Sequence, residues 1–165
     1  MRRLIVPSLT GFASYGLGRG GAAATDLRSS LLARLKGDAI LAGLVPAAAI
    51  RHGYSAQRDA EPRVVVQVLS NPRGQQLSGC AGYAKARVQV SIRAATTAEA
   101  VAIKARVEGL LDGFRGVLPG GLRVTDCHQL GESDLYDWPD DGKGRPLCGV
   151  RVDYRVRHNV RAPAT

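Results

Sequence analysis

Aromatic side chains are scarce in this sequence, which has one Trp, five Tyr and two Phe among its 165 residues. Proteins that bind single-stranded nucleic acid stack bases on aromatic side chains of a sheet face, and each stacked base contributes about 1–3 kcal/mol. We expect no aromatic residue among the arginine-bearing positions of the predicted strands. The scarcity disfavours a basic nucleic-acid-binding module, although the net charge of +9 and the pI near 10.1 would suit one. That module stays open as an alternative of a different class.

Cysteines are few, and Cys80, Cys127 and Cys148 form no C-x-x-C motif. Their spacing gives no support to a zinc ribbon or a thioredoxin-type site, and an odd count without a framework suits a reducing compartment. A metal site made of Cys127, His128 and Cys148 is the weaker interpretation, because small residues that fill strand positions explain the same pattern. We therefore expect no metal and no cofactor.

Catalytic motifs and long apolar runs are missing as well. The sequence has no P-loop, no G-x-S-x-G elbow and no H-E-x-x-H helix, so no catalytic residue is predicted and an enzyme is the least favoured class. Pro7 and Gly11 interrupt the first apolar stretch before it reaches the length of a signal-peptide core. A G-x-G-x-x-G match at residues 16–21 lacks the flanking strand and helix of a dinucleotide site. Residues 1–24 are predicted to be a flexible Gly-rich arm.

Alternation of apolar and polar residues is the main structural signal. It is typical of strands that place one face on a core and the other in solvent. The clearest case runs from Tyr83 to Ala95, and a short strand around Ile50 is left open. The predicted strands are residues 63–70, 83–95, 122–130 and 149–160.

Helical spacing of apolar residues appears twice. Leucines that follow a capping Thr25 or Asp26 predict a first helix. Gly37 interrupts it, and residues 38–45 are predicted to form a second short helical piece that ends at Pro46. Thr96 and Glu99 form a capping box before a second apolar stripe. The class is therefore α+β: a mostly antiparallel sheet of about four to five strands with two helices packed on one face. One domain is expected over residues 25–160, with residues 161–165 as a loose tail.

Charge is segregated along the chain. Residues 126–141 contain six Asp and Glu residues and no Lys or Arg, inside a protein with 23 basic residues. Two surface loops are predicted from turn chemistry, one over residues 70–83 and an acidic one over residues 131–145. Such segregation suits identical subunits that pack head to tail, with a basic surface against an acidic loop.

Five segments carry a resemblance to a known family: EPRVVVQ (61–67), ARVQVSIRAAT (86–96), AEAVAIKARVEGLLDGFRG (98–116), SDLYD (133–137) and LCGVRVDYRVRH (147–158). In this order, the chain resembles over residues 25–158 the tail terminator, or tail completion, family of long-tailed bacteriophages and related prophages. Residues 1–24 depart from the family, which usually lacks such an arm.

The resemblance implies a structural virion protein. Members form a ring, a homohexamer, on the head-proximal end of the tail tube, where it stops tube polymerisation and offers the surface for head–tail joining. The implied partners are further copies of the chain, the tail tube protein and a neck or head-closure protein; DNA passes through the channel without sequence-specific binding, and no membrane is involved. The ring would belong to the virion tail and assemble in the cytoplasm of the host bacterium. Another neck or head-closure component is the alternative.

The assembly interface is expected in the two loops and on the charged strand faces. Trp138 in an acidic loop is typical of an interface, although folding back over the edge of the core would explain it equally. Ordinary solvated side chains are an equal alternative for Arg155 and Arg157. The candidate residues are Arg73, Gln75, Gln76, Arg87, Arg93, Asp134, Tyr136, Trp138, Asp140, Asp141, Arg151, Arg155 and Arg157.

Overall fold

The computed structural model of the chain describes residues 26–54, 61–77, 79–137 and 147–160. Within these ranges the chain forms three α-helices, one short 3-10 turn over Ala47–Ala49 and seven strands. In chain order they are α1 (Leu27–Lys36), α2 (Ala39–Leu44), β1 (Ile50–His52), β2 (Arg63–Ser70), β3 (Arg73–Gln76), β4 (Gly79–Ala94), α3 (Thr97–Leu111), β5 (Gly116–Val117), β6 (Arg123–Asp137) and β7 (Leu147–Asn159).

All seven described strands belong to one mixed sheet. Its order is β1-β2-β4-β7-β6-β5, and β3 lies beside β4. β1 and β2 run parallel, whereas the other pairs are antiparallel. The predicted α+β class is confirmed, but the strand number of four to five was wrong and the parallel pair was missed. β1, β3 and β5 are only 3, 4 and 2 residues long, which is too short to show alternation.

The core lies between the helices and alternate residues of the central strands. The apolar stripe of α3 is buried, which confirms its prediction, and the predicted inward residues of β4 and β7 are buried too. Three helices rather than two cover the described sheet, because α2 is a helix of its own. The buried residues that join helix and sheet include Leu31, Leu35, Leu41, Val88, Val90, Ile92, Ile103, Val107, Val152 and Tyr154.

Helix starts are fixed by side-chain oxygens at two of the three helices. The hydroxyl of Thr96 accepts a hydrogen bond from the Glu99 amide at 3.2 Å, as the capping box predicts. Asp38 Oδ1 accepts the Leu41 amide at 2.8 Å and so caps α2. The same carboxylate binds the Arg106 guanidinium of α3 in a bidentate ion pair, with distances of 2.8 and 2.5 Å. Asp38 therefore begins one helix and ties it to another.

Both predicted loops contain strands. Residues 73–76 and 79–94 form a β3–β4 hairpin where a loop over 70–83 was expected, and β6 continues to Asp137 through the first half of the expected acidic loop. The sequence from Gly131 to Asp137 has no β-branched residue, so its propensity for a strand is low. Pairing with β7, from Gly131 opposite Asp153 to Asp137 opposite Leu147, overrides that propensity.

No helix in the described part of the chain is long and apolar enough to cross a membrane.

Candidate assembly surface

The sheet face opposite the helices carries the alternating charged residues of β4 and β7, and we call it the outer face. Asp153 lies at its centre, where Arg87 NH2 donates to Oδ2 at 2.5 Å and Gln89 Nε2 donates to Oδ1 at 2.9 Å. Burial opposes ionisation of Asp153, but these two hydrogen bonds outweigh it and hold its pKa below the ordinary value. Arg87, a predicted interface residue, is thus engaged within its own subunit, although 56% of its side chain remains exposed.

Beside this ion pair lies a shallow pocket of about 220 Å³ on the outer face. Arg151 lines it together with Arg87 and Asp153, next to the irregularity of β6 between Gln129 and Gly131. The Nε atom of Arg151 is buried and has no hydrogen-bond partner among the described residues. Arg151 therefore adds positive charge to a recess at the boundary between β7 and β6.

Gly149 permits a close approach further along the same face. A Cβ atom at this position would lie 2.5 Å from the Ile92 carbonyl oxygen and 3.3 Å from side-chain atoms of Arg93 and Leu135. The missing side chain lets Arg93 of β4 and Leu135 of β6 approach each other across β7. Arg93 is consequently half-buried, not fully solvated as the alternation alone would suggest.

Tyr83 lies at the opposite end of the outer face, so the expectation that no aromatic residue shares the arginine-bearing positions was wrong. The guanidinium carbon of Arg157 lies 4.2 Å from the centre of the Tyr83 ring, and Lys85 Nζ lies 5.9 Å from it. A Cβ at Gly74 would lie 2.6 Å from that ring, so β3 also packs against it. Arg157 is therefore part of the contact that anchors the β3–β4 hairpin, while Arg155 is an exposed side chain of the same face.

The acidic segment, which contains no Lys or Arg of its own, has a basic neighbour on α3. Glu132 of β6 forms an ion pair with Lys104 of α3, which also lies 3.3 Å from Glu108. The hydrogen bond from Lys104 lowers the pKa of Glu132 and raises that of Lys104. Asp134 and Tyr136 are exposed, and 62% of Tyr136 is accessible to solvent. Trp138, Asp140 and Asp141 lie outside the described residues.

Cys127 and Cys148 lie far apart on the β6–β7 ladder. Cys127 of β6 is paired with Val156 of β7. Cys148 lies eight residues from Val156 on the same strand, a distance of about 26 Å. Burial raises the pKa of the Cys127 thiol to about 12, so it is not poised to bind a metal. His128 instead lies 2.6 Å from Asp126. Within the described residues no group of three side chains could hold a metal ion.

The predicted interface residues fall into three groups. Arg87, Arg93, Arg151, Arg155 and Arg157 share the outer face, and their role in an interface stays a prediction. Arg73, Gln75 and Gln76 lie on β3 at one lateral edge of the sheet. Asp134 and Tyr136 lie on β6 at the other edge, with β4 and β7 in between. The described parts of the two predicted loops therefore lie at opposite edges of one sheet.

A further surface was missed from the sequence. The solvent side of α3 carries only small or apolar residues, and nearby Ile40 on α2 is 59% exposed. The signal was present in the sequence, since the positions between the buried residues of α3 include few charges. After its first residue, Thr97, the exposed positions of α3 are Ala98, Val101, Ala102, Ala105 and Gly109. Uncharged, exposed helix faces of this kind occur at protein–protein contacts.

Comparison with known families decides the classification. The family model described as tail completion protein gp17 matches residues 29–159 of the chain. The chain belongs to this family. The match begins at the third residue of α1 and runs to the end of β7, so it spans the rest of the helices and strands that the structure describes. Membership gives this tail completion protein a structural role in a phage-type tail.

A comparison of structures agrees on the fold. A chain from the virion of a native gene transfer agent particle is 21% identical and superposes with a TM-score of 0.61. The match covers 81% of this tail completion protein and 95% of the other chain. A search of curated proteins found no match.

Proposed function

We propose that this tail completion protein is the subunit of a ring that caps the head-proximal end of the tail tube. The observation that carries the proposal is the family match over residues 29–159. A tube of stacked rings grows through heterologous contacts, which leave a free binding surface after every addition. Completion of a tail therefore needs a subunit that binds the last ring and offers the next one no matching surface.

The two sheet edges support the ring. A closed ring of identical subunits uses two different surfaces of each copy, because its contacts are head to tail. Arg73, Gln75 and Gln76 on β3 lie at one edge of the sheet, and Asp134 and Tyr136 on β6 lie at the opposite edge. The first edge carries a basic residue and the second an acidic one. A stable contact of this kind buries about 1,000 Å² or more, so neighbouring surfaces take part. A homohexamer is the state that we propose.

The remaining partners follow from the cap. One end of the ring meets the tail tube protein, and the other meets a neck or head-closure protein for head–tail joining. DNA passes through the channel without sequence-specific binding. The function is structural rather than enzymatic, and the place of the protein is the tail of the virion.

Tube length tests this proposal. The chain is added to polymerising tail tube protein, and tube lengths are measured by electron microscopy. We expect shorter tubes, with a mean length that falls as the ratio of chain to tube protein rises, because each bound ring ends one tube. Lengths that do not change would contradict the proposal. DNA binding with a steep salt dependence, without an effect on tubes, would favour the nucleic-acid alternative.

A matched pair of variants makes the test specific. Arg73→Gln removes a positive charge from the β3 edge and should weaken the shortening of tubes. Arg28→Gln removes one from an exposed ion pair with Asp26 on α1, where both side chains are about half exposed, at 47% and 49%. Such pairs contribute little, so the control should shorten tubes as the wild type does.

A further inference from the structure

Over its second half, the outer edge of β6 pairs with no strand among the described residues. Among the described strands, β5 pairs with this edge only at Arg123 and Val124. The loop after α3 then covers two positions, because Gly113 donates to the Cys127 carbonyl and Asp112 accepts the Gln129 amide. From Gly131 to Asp134 the residues are exposed, and so is Tyr136. This segment of β6, residues 131–136, is the free edge of the sheet.

The backbone groups of the free edge can be assigned from the ladder. In an antiparallel pair, opposed residues alternate between bonding each other and bonding outward. The Gln129 amide points away from β7, and Gln129 lies opposite Tyr154. Since β7 keeps an unbroken register with β4, the alternation along β7 continues to Val152 and Val150. Their partners Glu132 and Asp134 therefore direct their amides outward, and Tyr136 follows in the same alternation.

Unpaired backbone groups on a strand of this length attract another strand, and native proteins usually blunt or cover such an edge. On the opposite side of the sheet, β3 pairs with β4 and presents Arg73, Gln75 and Gln76 to solvent. β3 is antiparallel to β4, β4 to β7 and β7 to β6. It follows that β3 is antiparallel to β6, so that a rotated second copy can continue the sheet without a change of strand direction.

The charges on the two edges match on the same side of the sheet. Asp134 lies opposite Val150, and Arg73 lies opposite Ala84. Val150 and Ala84 both point into the core under the helices, so Asp134 and Arg73 both point to the helix side. The cation of β1, Arg51, lies opposite Val65 and points to the outer face instead. The side-chain directions therefore favour β3 over β1 as the strand that meets β6.

We propose that the free edge of β6 binds β3 of a second copy of this chain as an added antiparallel strand, with Asp134 facing Arg73 across the contact. This contact rests on the ring proposed above and specifies how its subunits join. Strand addition supplies main-chain hydrogen bonds, and the charge pair sets the partner and the direction. Because the contact joins two different edges, successive copies associate head to tail, and they form a closed ring only if each copy is rotated relative to the last.

A charge exchange between copies tests the contact. Arg73→Glu and Asp134→Lys should each weaken self-association about tenfold, because each places like charges across the contact. The double variant Arg73→Glu/Asp134→Lys restores an opposite pair and should regain association. The two residues cannot pair within one copy, since β4 and β7 separate their strands. Association is measured by light scattering over a concentration series, alone and with tail tubes; circular dichroism checks that each variant is folded.

Hydrogen exchange of the wild type gives a second readout that needs no variant. The amides of residues 132, 134 and 136 should exchange more slowly in the assembled chain than in the free chain. A double variant as defective as the single ones, together with unchanged exchange at these amides, would overturn the strand addition. A wild-type chain that stays monomeric both alone and with tubes would overturn it too.

The outcomes separate this contact from the cap. If the wild type shortens tubes but the double variant stays as defective as the single ones and the three amides exchange unchanged, the β3–β6 contact is wrong and the cap stands. If the charge exchange succeeds and tube lengths do not change, the contact stands and the cap is wrong.

Discussion

At the scale of single residues, Asp38 shows how one side chain can act on two elements. The hydrogen bond from Arg106 and that from the Leu41 amide favour the ionised carboxylate, and they lower its pKa from 3.8 to about 2. The cap of α2 could be predicted from the sequence, because Asp commonly precedes a helix. The partner could not, because Arg106 is 68 residues away in sequence and only the packing of α2 on α3 brings it close.

The stability of the protein should depend on pH through this pair. A depressed pKa in the folded state means that Asp38 contributes stability above the pKa of the unfolded chain, near 3.8, and that this contribution is lost as the pH falls to about 2. Arg106→Ala should therefore lower the free energy of unfolding at pH 7, and its difference from the wild type should shrink between pH 4 and pH 2. Urea denaturation of both proteins across this pH range measures the difference in their free energies of unfolding.

Arg28→Ala serves as the control, because it breaks only the exposed pair with Asp26 at 3.1 Å. Its effect on the free energy of unfolding should be small at every pH. An equal loss of stability in both variants, or an Arg106→Ala effect that stays constant down to pH 2, would contradict the role given to Asp38.

At the scale of elements, the sequence predicts best where one signal extends over many residues. The alternation in β4 and β7 and the apolar stripe of α3 predicted both the elements and their buried faces. β3 and the second half of β6 were missed because their residues are turn-forming or acidic, and pairing with long neighbours makes them strands. The contact of Arg157 with the ring of Tyr83 could not be predicted either, because it depends on the register of β4 against β7.

The start of α3 offers a test at this scale. Thr96→Ala removes the hydroxyl that accepts the Glu99 amide, and the loss of such a cap costs about 0.5–2 kcal/mol of stability. Thr97→Ala is the matched control, because Thr97 is the first residue of the helix and is exposed. We expect thermal and urea unfolding to show a loss for Thr96→Ala alone. Equal stabilities of the two variants would argue against the cap.

At the scale of the whole molecule, the structure shows where the residues behind the net charge of +9 lie and what they contact. Arg87 and Arg157 of the outer face are engaged by Asp153 and Tyr83, so part of the basic charge serves the subunit itself. The acidic residues of β6 lie at one edge of the sheet and Arg73 at the other. The sequence predicted both segments as interface candidates, but as loops. Their positions at opposite edges of one sheet depend on the sheet topology, which cannot be predicted from local sequence patterns.

The central claim is that this tail completion protein forms a ring on one end of the tail tube. Electron microscopy of tubes assembled with the chain tests it most directly, with a gold label on the chain to mark its place. We expect a single ring of label at one end of each tube and bare tube walls. Label along the walls, at both ends equally or nowhere on the tubes would contradict it.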